Sequence, residues 1–501
     1  MEGLHFLAGG FATALSATNL FYCFIGALLG TMIGVLPGIG PISGVAMLIP
    51  FTFGMNPTTA IIMMAGVYYG AMYGGSTTSI LINTPGENSS VVTTLDGYQM
   101  AKQGKAGAAL AVAAIGSFIA GTISVIMLMI MAPALSKIAI NFGPPEYTAL
   151  MILGLVAVSS LGEGNMIKAL ISMVLGLMLS TVGIDLQTGT ARFTFGLPDL
   201  LSGVEFLIVA VALFALGEVF ESSTSPEEEG ERLAVKDRLW LSKEQFKESF
   251  APIMRGSFLG FFLGCLPGAG ATVSSFMSYM IEKRMSKHPE QFGKGAIAGV
   301  AGPESANNAA AGGAMVPLLT LGIPGTGTTA VLLGALMMFG VKPGPMMIQE
   351  NPDLFWGLIA SMYVGNAMLL ILNLPLVGIF AKMLDLPKNI LMPVVLVLAF
   401  LGVWAAQTNT FDVVLLAGIG VVGYFMRRLN FPAAPLLLSL VLGDRLEQSM
   451  RQSLTMSDGQ VSIFFSRPIS LTLLIVAFLA VAYPALRNYL AKRKAQQAEA
   501  A

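Results

Sequence analysis

The sequence predicts an all-α polytopic membrane protein with two inverted-topology repeats, built from broken helices or re-entrant hairpins and moving in an elevator-like way. The first observation is composition: 55% of the 501 residues are hydrophobic and only 11% are charged, whereas soluble domains carry about 25% charged residues. The mean hydropathy of +0.75 indicates that lipid solvates much of the exterior. The second observation is a series of long apolar runs, and the third is an internal repeat. Because backbone groups in hydrocarbon must be paired within the protein, the spanning elements are expected to be helices.

The apolar runs set the number and position of membrane elements. A spanning helix needs about 20 residues, and a span with its loop uses about 35–45, so the chain holds about 11–13 membrane elements. The clearest candidate spans are residues 108–133, 147–160, 166–184, 200–220, 354–383, 391–406, 412–426 and 469–488. One charged stretch near the middle divides the chain. The predicted organisation is a first transmembrane repeat at 1–220, a cytoplasmic linker at 221–255, a second transmembrane repeat at 256–466, and a C-terminal helix with a polar tail at 467–501.

Several function classes are disfavoured by what the sequence lacks. The net charge of −1 offers no large basic field for nucleic acid. Two cysteines, Cys23 and Cys265, exclude a disulfide framework, and with two histidines and no Cys/His cluster we expect no zinc or haem site. No phosphate-binding loop, metalloprotease motif or nucleophile elbow appears. We therefore expect no enzyme activity and no cofactor, and energy for transport would come from an ion gradient.

Two stretches of the chain repeat each other. Residues 26–40 and residues 256–270 lie 230 positions apart and share eight of fifteen residues, including a Leu-Pro-Gly turn. A second pair, 82–86 and 321–325, lies 239 positions apart and ends in Pro-Gly both times. The order and approximate spacing of the two elements are kept, which indicates a duplicated unit.

The charges around the repeated elements predict that the two halves are inverted. Residues 50–58 contain no Lys or Arg, whereas the matching loop at 281–294 contains four. Because Lys and Arg favour the cytoplasmic side, the same element lies on opposite sides in the two halves. The linker before Gly256 is also basic, so the element at 256–281 enters and leaves on one face. It is therefore interpreted as a re-entrant hairpin; the alternative is a single kinked spanning helix.

Four Pro-Gly breaks interrupt apolar helices, at Pro37, Pro85, Pro267 and Pro324. Each break frees backbone groups at membrane depth, which is tolerated only where protein or a water-filled cavity receives them. A helix that restarts after such a break presents free N–H groups and a positive dipole end, and Ser or Thr follows every break. This pattern predicts a carboxylate site built without Lys or Arg; neither 26–86 nor 297–340 contains either residue. The alternative is that Gly and Pro only shape helix packing.

Two polar clusters lie beside these breaks and predict a cation site. Neutral oxygens of Asn, Ser and Thr with unwound carbonyls can coordinate Na⁺, and Glu87 or Glu304 can hold a cation or a proton. The alternative is that both glutamates only cap helices. The predicted substrate-binding residues are Gly38, Gly40, Ser76, Thr77, Asn83, Thr84, Pro85, Gly86, Gly268, Gly270, Thr272, Pro324, Gly325, Thr326 and Thr328. The predicted cation-binding residues are Asn88, Glu304, Asn307 and Asn308, with Na⁺ as the possible coupling ion and no other metal.

The longest of these stretches carry a resemblance. YGGSTTSILINTPGE, TLDGYQMAKQGKAG, GCLPGAGATVSSFMSYMIEKR and GPESANNAAAGGAMVPLLTLGIPGTGTTAVLLGAL together resemble the large membrane subunit of the tripartite tricarboxylate transporters. The resemblance implies a bacterial inner-membrane location, a small four-helix membrane subunit and a periplasmic solute-binding protein as partners. It also implies di- or tricarboxylate substrates and uptake driven by a Na⁺ or H⁺ gradient. Alternatives are a stand-alone carboxylate carrier, a membrane-embedded enzyme using Glu87 or Glu304 as a base, or a channel subunit.

Overall fold

The computed structural model describes residues 2–36, 39–159, 166–185, 188–224, 233, 235, 237–268, 270–383 and 388–480. The chain forms two compact units. The first contains Met1–Ala139 and Glu205–Leu429, and the second contains Ile140–Val204 and Asn430–Ala501. Each unit therefore draws on both predicted repeats.

Helices account for most of the described residues. They are α1 (Glu2–Ala14), α2 (Ala17–Val35), α3 (Gly40–Leu48), α4 (Pro57–Ile82), α5 (Val91–Lys102), α6 (Ala106–Ala139), α7 (Pro144–Ser159), α8 (Met166–Ser180), α9 (Phe206–Ala210), α10 (Gly217–Thr224), α11 (Lys243–Gly264), α12 (Gly270–Met285), α13 (Ala298–Leu321), α14 (Gly327–Met338), α15 (Met347–Glu350), α16 (Pro352–Asn373), α17 (Val377–Lys382), α18 (Lys388–Gln407), α19 (Thr410–Arg428), α20 (Ala433–Met456) and α21 (Ile463–Ser466). Short 3₁₀ helices occupy Ile49–Thr52, Asn88–Ser90, Pro198–Leu200 and Pro289–Gln291, and a π-helix joins α9 to α10 at Val211–Leu216.

In the first unit, α2 and α4 pack at backbone distance because three glycines of α2 face α4. An ideal Cβ at Gly30 would lie only 2.5 Å from the carbonyl oxygen of Val67, closer than real side chains approach. Gly26 and Gly34 meet the carbonyls of Met63 and Ala71 in the same way. The residue number of the contacted carbonyl on α4 rises as the number of the glycine on α2 rises, so α2 and α4 run parallel. Small residues are what permit helices to approach so closely.

The helices α11 and α13 repeat this packing. The facing positions are Gly256, Gly260 and Gly264 on α11 and the carbonyls of Gly302, Ala306 and Ala310 on α13. The α11 glycines lie 230 positions after those of α2, and the α13 carbonyls lie 239 positions after those of α4. These are the two offsets found in the sequence. The sequence repeat is therefore also a repeat of one packed helix pair.

The Leu-Pro-Gly elements are helical hairpins rather than kinked single helices. Because α2 and α4 run parallel, the chain between them must return to the end where α2 begins. The returning helix is α3, in which Gly44 faces the side chain of Ile33 on α2. In the second half, Arg255 Nε on α11 donates to Glu282 Oε1 on α12 at 2.8 Å. Because Arg255 lies before the turn and Glu282 well after it, these two helices are also antiparallel. Two antiparallel helices joined by a turn agree with the hairpin interpretation; that each element enters and leaves the membrane on one face stays a prediction.

Five of the described helical segments are long and apolar enough to cross a membrane: Ala17–Val35, Ala106–Ala139, Phe206–Thr224, Pro352–Asn373 and Thr410–Arg428. The last four overlap predicted spans. Several of their side chains face outward, such as Ile130 and Val414, which are 63% and 65% exposed. Outward-facing aliphatic side chains on such helices are typical of a lipid-facing surface.

Part of the charged linker packs against the first unit. Its predicted range is 221–255, but α10 extends to Thr224 and α11 already begins at Lys243. Between them, Leu233 donates its backbone N–H to the carbonyl of Leu81 at 3.0 Å. The carboxylate of Asp237 accepts hydrogen bonds from the first N–H groups of α6, which favour an anion.

The second unit contains the only β-structure among the described residues, a two-stranded antiparallel hairpin of β1 (Gly183–Ile184) and β2 (Ala191–Arg192). Arg192 Nη1 donates to Glu447 Oε1 on α20 at 2.8 Å, which fixes the hairpin on that helix. The helix α20 also packs against α7 and α8. The sequence does not predict this hairpin, because two-residue strands leave no alternating pattern.

Candidate functional site

In the first unit, two buried helices are broken at equivalent positions. The helix α4 is followed by Asn83 with φ 58°, and α13 is followed by Gly322 with φ 70°. These two left-handed residues lie 239 positions apart. Pro85 and Pro324 come next, and proline has no N–H with which to continue a helix. Both breaks therefore expose backbone groups, as the sequence predicts for the Pro-Gly elements.

The chain restarts after each break with the same kind of cap but a different residue. Glu87 Oε2 accepts from the Ser89 N–H at 2.8 Å, and the Glu87 N–H donates to Ser90 Oγ at 3.3 Å. At the second break, Thr326 Oγ1 accepts from the Thr329 N–H at 3.2 Å, and the Thr326 N–H donates to Thr329 Oγ1 at 2.9 Å. Both are reciprocal capping boxes. The first cap carries a carboxylate and the second a neutral hydroxyl.

The turn of the second hairpin lies on the second break. Gly268 donates its N–H to the carbonyl oxygen of Gly325 at 3.2 Å. An ideal Cβ on Gly325 would lie 3.3 Å from the carbonyl oxygen of Gly264. In the first half, Gly86 lies against the carbonyl of Gly34, the equivalent pair. Each helix break therefore contacts the end of the first hairpin helix of its own half, α2 for the first break and α11 for the second.

Both returning hairpin helices begin with a left-handed glycine. Gly40 at the start of α3 has φ 63°, and Gly270 at the start of α12 has φ 54°. Glycine adopts this conformation without strain, so the left-handed backbone of the turn accounts for glycine at both positions. The predicted residue Gly38 lies outside the described residues.

The hairpins also reach across to the opposite half. The helix α3 packs against α14, which starts at the second break, and α12 packs against Asn88–Ser90, which follows the first break. Restarting helices and returning hairpin helices from both halves thus surround one region of the first unit.

A buried carboxylate, Glu304 on α13, lies at the centre of this region. Its side chain is completely buried. It accepts hydrogen bonds from the hydroxyl of Ser76 at 2.6 Å, the amide of Asn307 at 3.2 Å, and the hydroxyl of Thr93. In the part of the chain that the structure describes, its partners include no Lys, Arg or His. Three helices, α4, α5 and α13, therefore converge on an acid that no basic side chain neutralises.

Two carboxamides extend the cluster along α13. Asn308 Nδ2 donates to the Asn307 side-chain oxygen at 2.5 Å and to Ser117 Oγ on α6 at 2.7 Å. Both asparagines are buried. The hydrogen-bonded path therefore runs from the carboxylate of Glu304 to α6, through oxygens and amides only.

A second polar path lies beside the first. Tyr73 donates its hydroxyl to Asn366 Oδ1 at 2.5 Å, and Asn366 donates to the Phe118 carbonyl at 2.8 Å. Two small cavities adjoin these groups, one lined by Ser76, Thr77 and Ser117 among others, the other by Tyr73, Asn308 and Asn366 among others. Each has room for about one water molecule.

Comparison with known proteins gives a family. The model of the tripartite tricarboxylate transporter TctA family matches residues 20–438. The chain belongs to the TctA family. It is 49% identical over 495 residues to the uncharacterized 52.8 kDa protein in the TAR-I ttuC' 3'region of Agrobacterium vitis, covering 98% of each chain. It is 46% identical over 234 residues to the uncharacterized protein in the TAR-II ttuC' 3'region of the same organism, covering 47% of this chain and 97% of the relative. No solved structure matches it.

Membership of the TctA family confirms the resemblance found in the sequence. The family is one of transporters, and its members act in tripartite systems with a small membrane component and a periplasmic binding component. Together with the five apolar helices, this establishes a multi-pass membrane protein of a transport family.

The predicted site residues of this TctA-family chain fall into two groups. Those within the buried region are Ser76, Thr77, Gly86, Glu304, Asn307, Asn308, Pro324, Gly325 and Thr328. Those that are half-buried or exposed are Gly40, Asn83, Thr84, Pro85, Asn88, Gly268, Thr272 and Thr326, while Gly270 is buried at the hairpin turn. Their roles as ligands stay predictions.

Polar residues of this region that were not among the predicted ligands include Tyr68, Tyr73, Thr93, Ser117 and Asn366. Thr93 and Ser117 lie in helices whose sequence shows no break, so only their contacts with Glu304 and Asn308 reveal them. Tyr68 could have been found by aligning the repeats, because it stands 239 positions before Asn307.

Proposed function

We propose that this chain carries small organic anions, di- or tricarboxylates, across the bacterial inner membrane by secondary active uptake. A Na⁺ or H⁺ gradient drives the uptake, and a periplasmic solute-binding protein delivers the substrate. A small four-helix membrane subunit completes the system. The chain itself performs no covalent chemistry in this proposal.

The observation that carries the proposal is the pair of buried helix breaks beside an uncompensated carboxylate. Free N–H groups at a restarting helix bind anions, and unwound carbonyls with amide oxygens bind cations. The breaks at 83–87 and 322–326 supply the first kind of group, and the carboxylate of Glu304 supplies oxygens for a cation. A co-transporter needs both within one region, since each ligand must alter the affinity for the other.

We propose Glu304 as the coupling residue. An isolated buried carboxylate is costly unless it binds a proton or a cation, or is fully hydrogen-bonded. Ser76, Thr93 and Asn307 hold Glu304 in place but leave its charge uncompensated. A proton or Na⁺ at this position would offset the negative charge of an incoming carboxylate.

The proposed inversion of the two repeats is supported by the contact between α4 and α13. Tyr73 of α4 lines one cavity with Asn308, and Ser76 of α4 contacts Glu304. As the residue number rises along α4, the number of the contacting residue on α13 falls, so the two helices run antiparallel. Equivalent helices that run antiparallel are expected of inverted repeats, the architecture of carriers with alternating access and of the elevator-like movement proposed here.

The test is uptake by the assembled system. The full chain would be produced with the small membrane protein and the binding protein encoded beside it, in a host without its own carboxylate uptake. Uptake of ¹⁴C-citrate and ¹⁴C-succinate would be measured under imposed Na⁺ and pH gradients. We expect accumulation of at least one of the two that collapses when the driving gradient is removed. Absence of gradient-driven uptake of either acid would contradict the proposal, and uptake without the binding protein would favour the stand-alone carrier.

A further inference from the structure

The two helix restarts are equivalent in position but differ in charge. At the first, Glu87 places its own carboxylate on the N–H of Ser89 and accepts the Ser89 hydroxyl as well. A second anion there would meet a negative charge at short range in a buried place. Glu87 therefore already occupies the position that a substrate carboxylate would take.

The second restart is neutral. Thr326 caps the twelve-residue helix α14 with a hydroxyl. The N–H groups of Gly327 and Thr328 stand at the first helical positions, which have no partner within the helix. Thr328 adds a buried hydroxyl at the same end. The positive end of the helix dipole is thus available to an anion.

Tyr68 of α4 gives independent evidence for a ligand at this end. Its side chain is fully buried and its hydroxyl lies beside Thr326. In the described part of the chain, that hydroxyl completes no hydrogen bond of standard geometry, and its one polar neighbour is the nearby side chain of Thr326. Buried polar groups are nearly always paired, so an unpaired phenol that faces a helix start points to a missing acceptor. A phenol readily donates to a carboxylate.

The repeat alignment shows why this donor is present in one half only. Tyr68 corresponds to Asn307, because both α4 and α13 keep the offset of 239. One half places a carboxamide beside the carboxylate of Glu304, and the other places a phenol beside the neutral cap Thr326. The two equivalent positions therefore carry different polar side chains, a carboxamide in one half and a phenol in the other.

We propose that the substrate carboxylate binds at the start of α14, held by the N–H groups of Gly327 and Thr328 and by the hydroxyls of Thr326 and Tyr68, and is excluded from the first restart by Glu87. The inference rests on the proposed carboxylate transport. The hairpin turn lies over this place, since Gly268 donates to the Gly325 carbonyl and an ideal Cβ at Gly270 would lie 3.7 Å from the Thr326 methyl group.

The experiment measures KM for ¹⁴C-citrate and ¹⁴C-succinate uptake by the assembled system. Tyr68→Phe removes one oxygen from a buried ring and is expected to raise KM about tenfold, the loss typical of one hydrogen bond to a charged group. Thr326→Glu gives the second restart the residue of the first and is expected to abolish uptake while still capping α14. Tyr363→Phe, a phenol of α16 that stacks on Phe11, is the matched control and should leave KM unchanged.

The outcomes separate the two proposals. Wild-type uptake with a KM for Tyr68→Phe within about twofold of wild type overturns the site at α14 but leaves the carboxylate function intact. Absence of wild-type uptake of both acids overturns the function and the site together. If Thr326→Glu is missing from the membrane, Tyr68→Phe decides, since it removes only one oxygen from a buried ring.

Discussion

Two buried carboxylates in the first unit, Glu282 on α12 and Glu304 on α13, lie on helices that pack against each other but have opposite surroundings. Glu282 accepts Arg255 Nε at 2.8 Å and is also bonded to Nη2 of the same guanidinium, in a bidentate pair that joins the two helices of the hairpin. Glu304 accepts two hydroxyls and one carboxamide instead. Burial alone therefore does not mark a functional acid. A carboxylate with a fixed cation is already neutralised, whereas one with only neutral donors is free to exchange a proton or an ion.

The largest expected effect follows from removing the uncompensated charge. Glu304→Gln keeps the size of the side chain but removes the negative charge that would hold a proton or a cation, so gradient-driven uptake should fall by about 5- to 150-fold, the range of typical coupling energies. Uptake of ¹⁴C-citrate and ¹⁴C-succinate against an imposed gradient measures this. Exchange of labelled for unlabelled substrate at equal concentrations serves as the control and should persist, because it needs no net ion flux. Unchanged dependence on the gradient would show that Glu304 is not the coupling residue.

The next prediction tests the neutral hydrogen-bond donors around Glu304. Asn307→Ala and Asn308→Ala remove buried amides of the Glu304 cluster and should each lower uptake about tenfold. Asn83→Ala and Thr84→Ala change exposed or half-buried residues at the first break and should change it less. The measurement is the initial uptake rate divided by the amount of protein in the membrane. Equal losses from all four variants would contradict the ranking by burial, and loss of protein from the membrane would indicate a structural role.

A smaller effect tests the paired carboxylate. Arg255→Ala leaves the buried charge of Glu282 without its partner, and breaking such a pair costs about 3–5 kcal/mol when fully buried. The Arg255 side chain is 38% exposed, so a loss of about 1–3 kcal/mol is expected once water screens the pair. The apparent melting temperature of the detergent-solubilised full chain should fall by several degrees. The matched double variant Arg255→Met with Glu282→Gln should recover part of that loss, and failure to recover any would show that the charge is not the cause.

The sequence predicts the close helix packing within each repeat better than it predicts the hydrogen bonds around Glu304 and Asn308. Glycines at 26, 30 and 34 and their equivalents predict close helix pairs, because only glycine permits such an approach. The Pro-Gly breaks are visible because proline cannot continue a helix. The division into two compact units was not predicted, since it joins segments far apart in the chain. Thr93 and Ser117 were missed for the same reason: their hydrogen bonds link different helices, and no local pattern encodes them.

Glu282→Gln is expected to have the smallest effect, and it is the variant that can break the comparison. The substitution removes the buried charge and keeps one acceptor for Arg255, whose partly exposed guanidinium can be hydrated. The apparent melting temperature should fall only slightly, by less than for Arg255→Ala, because an exposed cation without a partner costs far less than a buried anion. Uptake should keep its full dependence on the Na⁺ or pH gradient, since a permanently paired carboxylate takes no part in ion exchange. KM at high and low Na⁺, and at two pH values, measures this. If Glu282→Gln weakens the coupling as Glu304→Gln does, the ion pair must open during transport, and the presence of an arginine partner would no longer distinguish a structural carboxylate from a coupling one.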